Sequence, residues 1–186
     1  MLKSRALAIA MLASLCGVAC VPSARAQSRD SFPGKKSVSK SPNGELEIRN
    51  FNGDKPDSPH RLELEDVKTA IRVKLLDYDH NVDVLWSSKG DKFVVIDHAG
   101  ENLTESYVFI VDKTVHRINV TDELQQKLPE TKHLFQNDHV FVEAVGWKKE
   151  DKIIKIKVFG QGAADPNGFT EYFEYTIGGD FKKVSK

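Results

Sequence analysis

Cysteine is almost absent from the sequence. The two cysteines, Cys16 and Cys20, both lie within the first 26 residues. These residues have the features of a signal peptide, and cleavage after Ala26 would leave a mature chain of 160 residues without a thiol. That absence excludes disulfides, cysteine nucleophiles and thiolate metal sites from the mature chain. An exported chain without disulfides must then be held together by its hydrophobic core alone.

Three features in succession predict the signal peptide. Lys3 and Arg5 form a basic start, residues 6–21 are an apolar run, and Ala24-Arg25-Ala26 has the small-x-small pattern of a signal peptidase site. The run is shorter than the ~20 residues that a membrane span needs. We therefore predict a periplasmic or secreted protein with no membrane insertion after cleavage. The alternatives are a permanent membrane anchor and a lipoprotein anchored through the last residue of Gly17-Val18-Ala19-Cys20.

The sequence also lacks an excess of one charge sign, with 27 basic and 27 acidic residues. Cleavage would remove Lys3, Arg5 and Arg25, which leaves 24 basic against 27 acidic residues and a net charge of −3. The two signs are interspersed, and no basic stripe or basic amphipathic helix is present. The charge pattern excludes nucleic acid as a partner and favours a protein, a small ligand or a glycan.

Several catalytic and ligand-binding motifs are missing. No Gly-x-Ser-x-Gly elbow supports a serine hydrolase, and no His-x-His or His-Glu-x-x-His spacing supports a local zinc site. The glycine-rich stretch over 160–168 lacks the Gly-x-Gly-x-x-Gly order and the following helix of a phosphate-binding loop. It predicts a long hairpin loop.

The chain after residue 26 divides into two parts. Residues 27–40 are polar and predict a flexible tether, although residues 36–40 can instead pair as an outer strand. Residues 41–186 predict a single all-β domain, because short segments of alternating apolar and polar residues are separated by turn signals. Phe93 to Ile96 is continuously apolar, which is typical of a strand buried on both faces.

We expect the strands to form three four-stranded antiparallel meanders. They can be arranged as a propeller-like arc or as a compact sandwich, and the protein can be a monomer or a homodimer that closes a ring. One short connecting helix is predicted over 121–128, with Thr121 as its cap and Pro129 as its stop.

A repeated hairpin supports this arrangement. Ser41-Pro42-Asn43-Gly44 and Ser87-Ser88-Lys89-Gly90 lie 46 residues apart, and Trp86 and Trp147 mark the second and third copies. The segments SPNGELEI and LWSSKGDKFVVID resemble the hairpin of TolB-type and WD-like β-propeller repeats. The resemblance covers three hairpins, and the third copy has lost its glycine. It implies a platform for a protein partner, although three units are fewer than the ~4 blades of closed propellers.

Two loops carry the candidate binding residues. The first follows the most apolar strand, and loops at strand ends often carry function. A metal-assisted hydrolase using His98 with Asp97 or Glu101 is an alternative, as is a purely structural turn. The candidates are Asp97, His98, Glu101 and Asn102 in the first loop, and Gln161, Asp165 and Asn167 in the second.

Asp77, Asp79, Asn81 and Asp83 are spaced two apart, so that an extended chain would place them on one face. Such oxygen side chains resemble the opening of a calcium loop. However, Val82 stands where that loop has Gly, and Ser88 replaces its bidentate Glu. A charged strand edge that discourages aggregation is the alternative. No cofactor other than calcium is predicted.

The sequence thus predicts an exported binding module with a protein partner rather than an enzyme. A metal-assisted hydrolase and a calcium-stabilised structural domain are the alternative functions.

Overall fold

The computed structural model describes residues 29–53 and 58–186, and these form a mainly β protein with antiparallel sheets. The predicted signal peptide, with the alternative lipoprotein site at Cys20, lies outside the described residues. Within the described part, no helix is long and apolar enough to cross a membrane. The strands are β1 (Arg29–Phe32), β2 (Val38–Lys40), β3 (Leu46–Phe51), β4 (His60–Asp66), β5 (Arg72–Tyr78), β6 (Asn81–Trp86), β7 (Lys92–His98), β8 (Leu103–Val111), β9 (Val115–Asn119), β10 (His139–Lys148), β11 (Ile153–Gln161), β12 (Phe169–Thr176) and β13 (Phe181–Val184).

The first sheet contains β2 to β5 in chain order, each antiparallel to the next. Alternation gives it two different faces. Ile48, Leu62 and Leu64 are buried on the inner face. The outer face carries ion pairs, among them Arg49 to Glu65 at 2.8 Å.

The second sheet has nine strands in the order β1-β6-β7-β8-β10-β11-β12-β13, and β9 also pairs with β8. The sheet divides at β8, which pairs in parallel with β10 only through Leu103 and Thr104. Beyond Phe141, side chains rather than a neighbouring strand form hydrogen bonds with the backbone groups on this edge of β10. The Ser106 hydroxyl donates to the carbonyl of Val142 and accepts from the amide of Ala144, and Arg29 donates to the Ala144 carbonyl.

Two hydrophobic cores lie on opposite sides of β6 to β8. One joins these strands to the first sheet, and the other joins them to β10 through β13 and the helices. Phe93, Val94, Val95 and Ile96 are all fully buried because their alternating side chains enter the two cores in turn. The prediction that this strand is buried on both faces is confirmed.

The flexible tether expected over 27–40 is wrong for residues 29–32, whereas the alternative that residues 36–40 pair as an outer strand is confirmed by β2 at the edge of the first sheet. Arg29 to Phe32 form β1, which pairs with β6, and Val38 to Lys40 form β2, which pairs with β3. Phe32 is fully buried, and the Ser31 hydroxyl donates to Asp83 Oδ1 at 2.5 Å. Because β1 contains only one apolar residue, its sequence shows no alternation of apolar and polar residues. Its strand structure depends instead on pairing with residues distant in sequence.

Two helices connect β9 to β10, where one was predicted. Helix α1 (Val120–Lys127) is capped by Asn119 rather than Thr121, because the Asn119 side chain accepts from the amides of Thr121 and Asp122. A 3₁₀ helix then covers Pro129–Gln136. Pro129 begins this second helix instead of only ending the first, since proline is compatible with a first helical turn.

Tryptophan side chains link successive parts of the fold. The Trp86 indole nitrogen donates to the Ser39 hydroxyl at 2.9 Å, and the Trp147 indole nitrogen donates to the Leu85 carbonyl at 3.2 Å. Ser39 and Leu85 are 46 residues apart, which is the offset between the two repeated turns. Each tryptophan therefore bonds to the residue that lies two places before the preceding repeated turn.

The repeated turns differ in how they reverse the chain. Gly44 and Gly90 have φ values of 74° and 76° in the first two turns. The third turn has no glycine, and Lys149, Glu150 and Asp151 take φ values of 47°, 56° and 64°. The Asp151 carboxylate holds this turn against the second one by accepting from the Ser88 hydroxyl and the Lys89 amide. Residues with a Cβ are strained in this conformation.

We expect Glu150→Gly to raise the free energy of unfolding by about 1 kcal/mol, because glycine adopts a positive φ without the steric cost of a Cβ. Glu143→Gly in β10 removes the same charge at an extended position and should lower the free energy of unfolding by about 1 kcal/mol. Urea denaturation measures both effects. Equal destabilisation by the two substitutions would contradict the left-handed third turn.

Candidate binding cleft

An open cleft of about 530 Å³ lies where β10, β11 and β12 meet the loop that precedes β8. Its volume is within the range of small-ligand sites. Three phenylalanines line it, together with several uncharged polar groups, one histidine and one carboxylate. The lining residues are Glu101, His139, Phe141, Phe159, Gly160, Gln161, Asn167, Gly168, Phe169 and Thr170.

Phe141 and Phe159 form the floor of the cleft. They are direct partners in the β10–β11 register, and their ring centroids are 5.0 Å apart. Alternation sends the neighbouring residues Val140 and Val158 into the core, so these two rings face outward. The Lys157 ammonium lies 3.6 Å from the Phe159 ring centroid, in a cation–π contact.

Glycines at the end of β11 and just after it let the chain approach the start of β10 closely. A Cβ on Gly160 would lie 2.0 Å from the His139 carbonyl oxygen, and one on Gly162 would lie 2.5 Å from the Asp138 amide nitrogen. Both contacts are far shorter than van der Waals distances, so larger side chains would displace the loop.

The 160–168 loop is fixed to the end of the 3₁₀ helix by a reciprocal pair of hydrogen bonds. Asn137 Nδ2 donates to Asp165 Oδ2 at 2.8 Å, and the Asp165 amide donates to Asn137 Oδ1 at 2.9 Å. Asn137 is buried and also donates to the Leu134 carbonyl. Asp165 therefore anchors the loop, although the sequence made it a candidate contact residue.

The structure brings three of the seven predicted binding residues into this cleft, namely Glu101, Gln161 and Asn167. Asn102 lies next to it, and its carbonyl accepts a hydrogen bond from the Val140 amide. This bond joins the first loop to β10. Asp97 and His98 do not line the cleft.

His98 belongs to a polar network on one face of β7. Its Nε2 lies 3.2 Å from Asp83 Oδ2, and its Nδ1 lies 3.4 Å from the hydroxyl of Thr104. Thr104 is buried, and Asp83 also accepts from β1. The network therefore ties strands together. Asp97 lies on the opposite face of β7, and Glu101 lines the cleft, so the three groups of the predicted hydrolase do not converge.

Asp97 is only 8% exposed, and its Oδ1 has no hydrogen-bond partner among the residues that the structure describes. It stands opposite Glu105 in the β7–β8 register. Burial, followed by the Glu105 carboxylate, raises the pKa of Asp97 to about 6. The Tyr107 hydroxyl donates to Glu105 Oε2 at 2.6 Å, and burial raises the pKa of Tyr107.

The four residues of the predicted calcium loop do not share one face. Asp77 lies in β5 of the first sheet and pairs with Lys74 at 2.5 Å, whereas Asp83 lies in β6 of the second sheet. The chain turns between them, because β5 ends before Asp79 and β6 starts at Asn81. In residues 29–53 and 58–186, no group of three or more His, Cys, Asp or Glu side chains could hold a metal ion. Calcium binding stays a prediction.

The phenylalanines of the cleft were not predicted as site residues. The sequence feature that marks them is alternation, because Phe141 in β10 and Phe159 in β11 occupy positions next to the core-facing valines of their strands. Comparison with known proteins adds no further assignment, because no protein-family model and no curated protein matches the chain.

We predict that Asp97→Asn stabilises the protein at neutral and alkaline pH. The pKa of Asp97 is raised on folding, from 3.8 to about 6, so the ionised form destabilises the fold. The contribution of Asp97 to the free energy of unfolding should fall between about pH 4 and pH 6, by about 3 kcal/mol in total, and stay level above pH 6. The variant should match the wild type near pH 4 and exceed it at pH 8.

Urea denaturation from pH 4 to pH 8 measures this difference. Asp83→Asn is the matched control, because Asp83 accepts hydrogen bonds from Ser31 and Arg29 and its neutralisation should destabilise the fold. A constant difference between Asp97→Asn and the wild type over this pH range would refute the assigned pKa.

Proposed function

We propose that this protein is an exported binding module that holds its partner at the cleft between the 98–102 and 160–168 loops. One observation carries the proposal. Two loops that the sequence marks separately border the same cleft, and an aromatic floor lies between them. Aromatic residues surrounded by polar groups are typical of binding sites.

The scaffold is best described as three successive four-stranded antiparallel meanders, β2–β5, β6–β9 and β10–β13, in an open propeller-like arc. The pairing of consecutive strands and the equivalent tryptophan bonds support this description. The TolB-type or WD-like relationship stays a prediction.

The two ends of the proposed arc favour a monomer over a ring-closing homodimer. Lys40 occupies the tryptophan position of the first repeat, where its side chain is 72% exposed and pairs with Glu47. A closed ring would bury this charged outer face against another sheet. Burial of ion pairs costs desolvation energy that imperfect pairing does not repay.

The cleft is largely preformed. The Asn137–Asp165 hydrogen bonds and the close approach at Gly160 and Gly162 fix its wall before a partner arrives. A fixed site loses less conformational entropy on binding. The enzymatic and calcium-stabilised alternatives have no comparable support, because their proposed groups lie apart.

Affinity capture from a native envelope extract tests this function. We expect one stoichiometric component, detected by protein mass spectrometry or by sugar analysis, to co-purify with the exported protein. Phe141→Ser should abolish the capture, because it removes the centre of the cleft floor. Val145→Ser is the matched control on the same strand, since Val145 is 47% exposed and lies outside the cleft.

Circular dichroism and thermal melting establish that both variants fold. Capture that survives Phe141→Ser would move the binding site elsewhere on the protein. The absence of any stoichiometric component from the wild-type eluate would overturn the proposed binding function.

A further inference from the structure

The cleft combines apolar ring surface with neutral hydrogen-bonding groups in one small volume. Phe141 and Phe169 offer apolar ring surface, whereas Gln161, Asn167 and Thr170 offer neutral hydrogen-bonding groups. Amide side chains both donate and accept, and a hydroxyl does the same. A ligand that fits must therefore present an apolar face next to several neutral polar groups.

The geometry points to a saccharide. We propose that the cleft binds one or two sugar residues of a neutral glycan chain. A sugar ring places its C–H groups on one face, where they can lie on Phe141, and its hydroxyls around the edge, where Gln161 and Asn167 can bond them. This inference rests on the proposed function and names the ligand class of the same cleft, in place of the protein partner that the repeat resemblance implies.

The strand pairing argues against an extended peptide as the ligand. Phe141 has a paired neighbour on both sides, Thr104 in β8 and Phe159 in β11, and Phe159 is paired with Thr170 in turn. The cleft floor therefore has no free strand edge to which a peptide backbone could add. A ligand must bind through side-chain contacts, which suits a compact ring better than an extended backbone.

The charges of the cleft favour a neutral sugar over an anionic one. Glu101 lines the cleft and forms no ion pair among the described residues, so its carboxylate can accept from hydroxyl groups. No Lys or Arg of the described residues lines the cleft; Lys157 contacts the Phe159 ring from outside it, and His139 is the one basic side chain in the lining. A polyanionic glycan would bring its charge towards Glu101 without a Lys or Arg in the cleft to balance it.

Isothermal titration calorimetry of the exported protein tests the proposal. The probes are linear oligosaccharides of glucose, of mannose, of galactose and of N-acetylglucosamine, with an oligouronate and a random peptide library as competitors. We expect at least one neutral oligosaccharide to bind. Phe141→Ala and Asn167→Ala should each weaken that binding at least tenfold, whereas Val145→Ala should leave it unchanged.

The other outcomes separate this inference from the proposed function. Peptides that bind with the same dependence on Phe141, while all four oligosaccharides fail, would overturn the sugar assignment and leave the binding function in place. Salt-sensitive binding of the oligouronate without any effect of Phe141→Ala would also overturn it. If no oligosaccharide binds, the sugar assignment is wrong, and the envelope capture with Phe141→Ser decides the proposed function separately.

Discussion

The hydrogen bond between a buried tryptophan and the preceding repeat is the interaction on which the fold depends. An indole buried in a core needs a partner for its N–H group. Trp86 finds the Ser39 hydroxyl, and Trp147 finds the Leu85 carbonyl at the equivalent place. Each bond fixes where one set of strands lies against the one before it. Lys40 lies 46 residues before Trp86, ahead of the first turn, and its side chain is exposed there.

Strands β6 to β8 lie at the centre of the described structure, because they contribute to both hydrophobic cores. Each of their two faces packs into a different core, so few of their residues are polar. Most of these polar residues form identifiable hydrogen bonds. Ser106 is fully buried and bonds two backbone groups of β10 where the sheet divides. Asp83 fixes β1. Asp97 is the exception, because its unpartnered oxygen and the facing Glu105 oppose folding once the carboxyl group ionises.

Local patterns in the sequence were enough to predict most strands, the first two turns and the strand buried on both faces. They failed where contacts distant in sequence decide the structure. β1 owes its pairing to Asp83 and to the core around Phe32, and neither leaves a local signal. The 3₁₀ helix begins at Pro129, which the sequence pattern treats as an end.

The candidate site divides in the same way. Glu101, Gln161 and Asn167 could be found because polar residues cluster in loops after strands. The aromatic floor was missed, because the alternation of each strand marks its phenylalanine as outward-facing but only the β10–β11 register brings Phe141 and Phe159 together. Asp165 has the same residue type as a contact residue, yet its bonds to Asn137 make it an anchor. Residue composition can identify a binding loop, but only tertiary contacts show which of its residues line the cleft and which hold the loop in place.

The two outer faces of the proposed arc explain why its aromatic residues suit binding. On the first sheet, Glu65 pairs with both Arg49 and Arg72, so the face is covered by compensated charge. The outer face of β10 to β12 carries the Lys148–Glu174 ion pair and, in addition, the partly exposed and stacked rings of Phe141 and Phe159. A core-facing aromatic residue contributes to folding by burial, but Phe141 and Phe159 point away from the core that their strands help to form. Their exposed surface contributes most when a ligand covers it, which is the physical reason to place binding at this end of the arc.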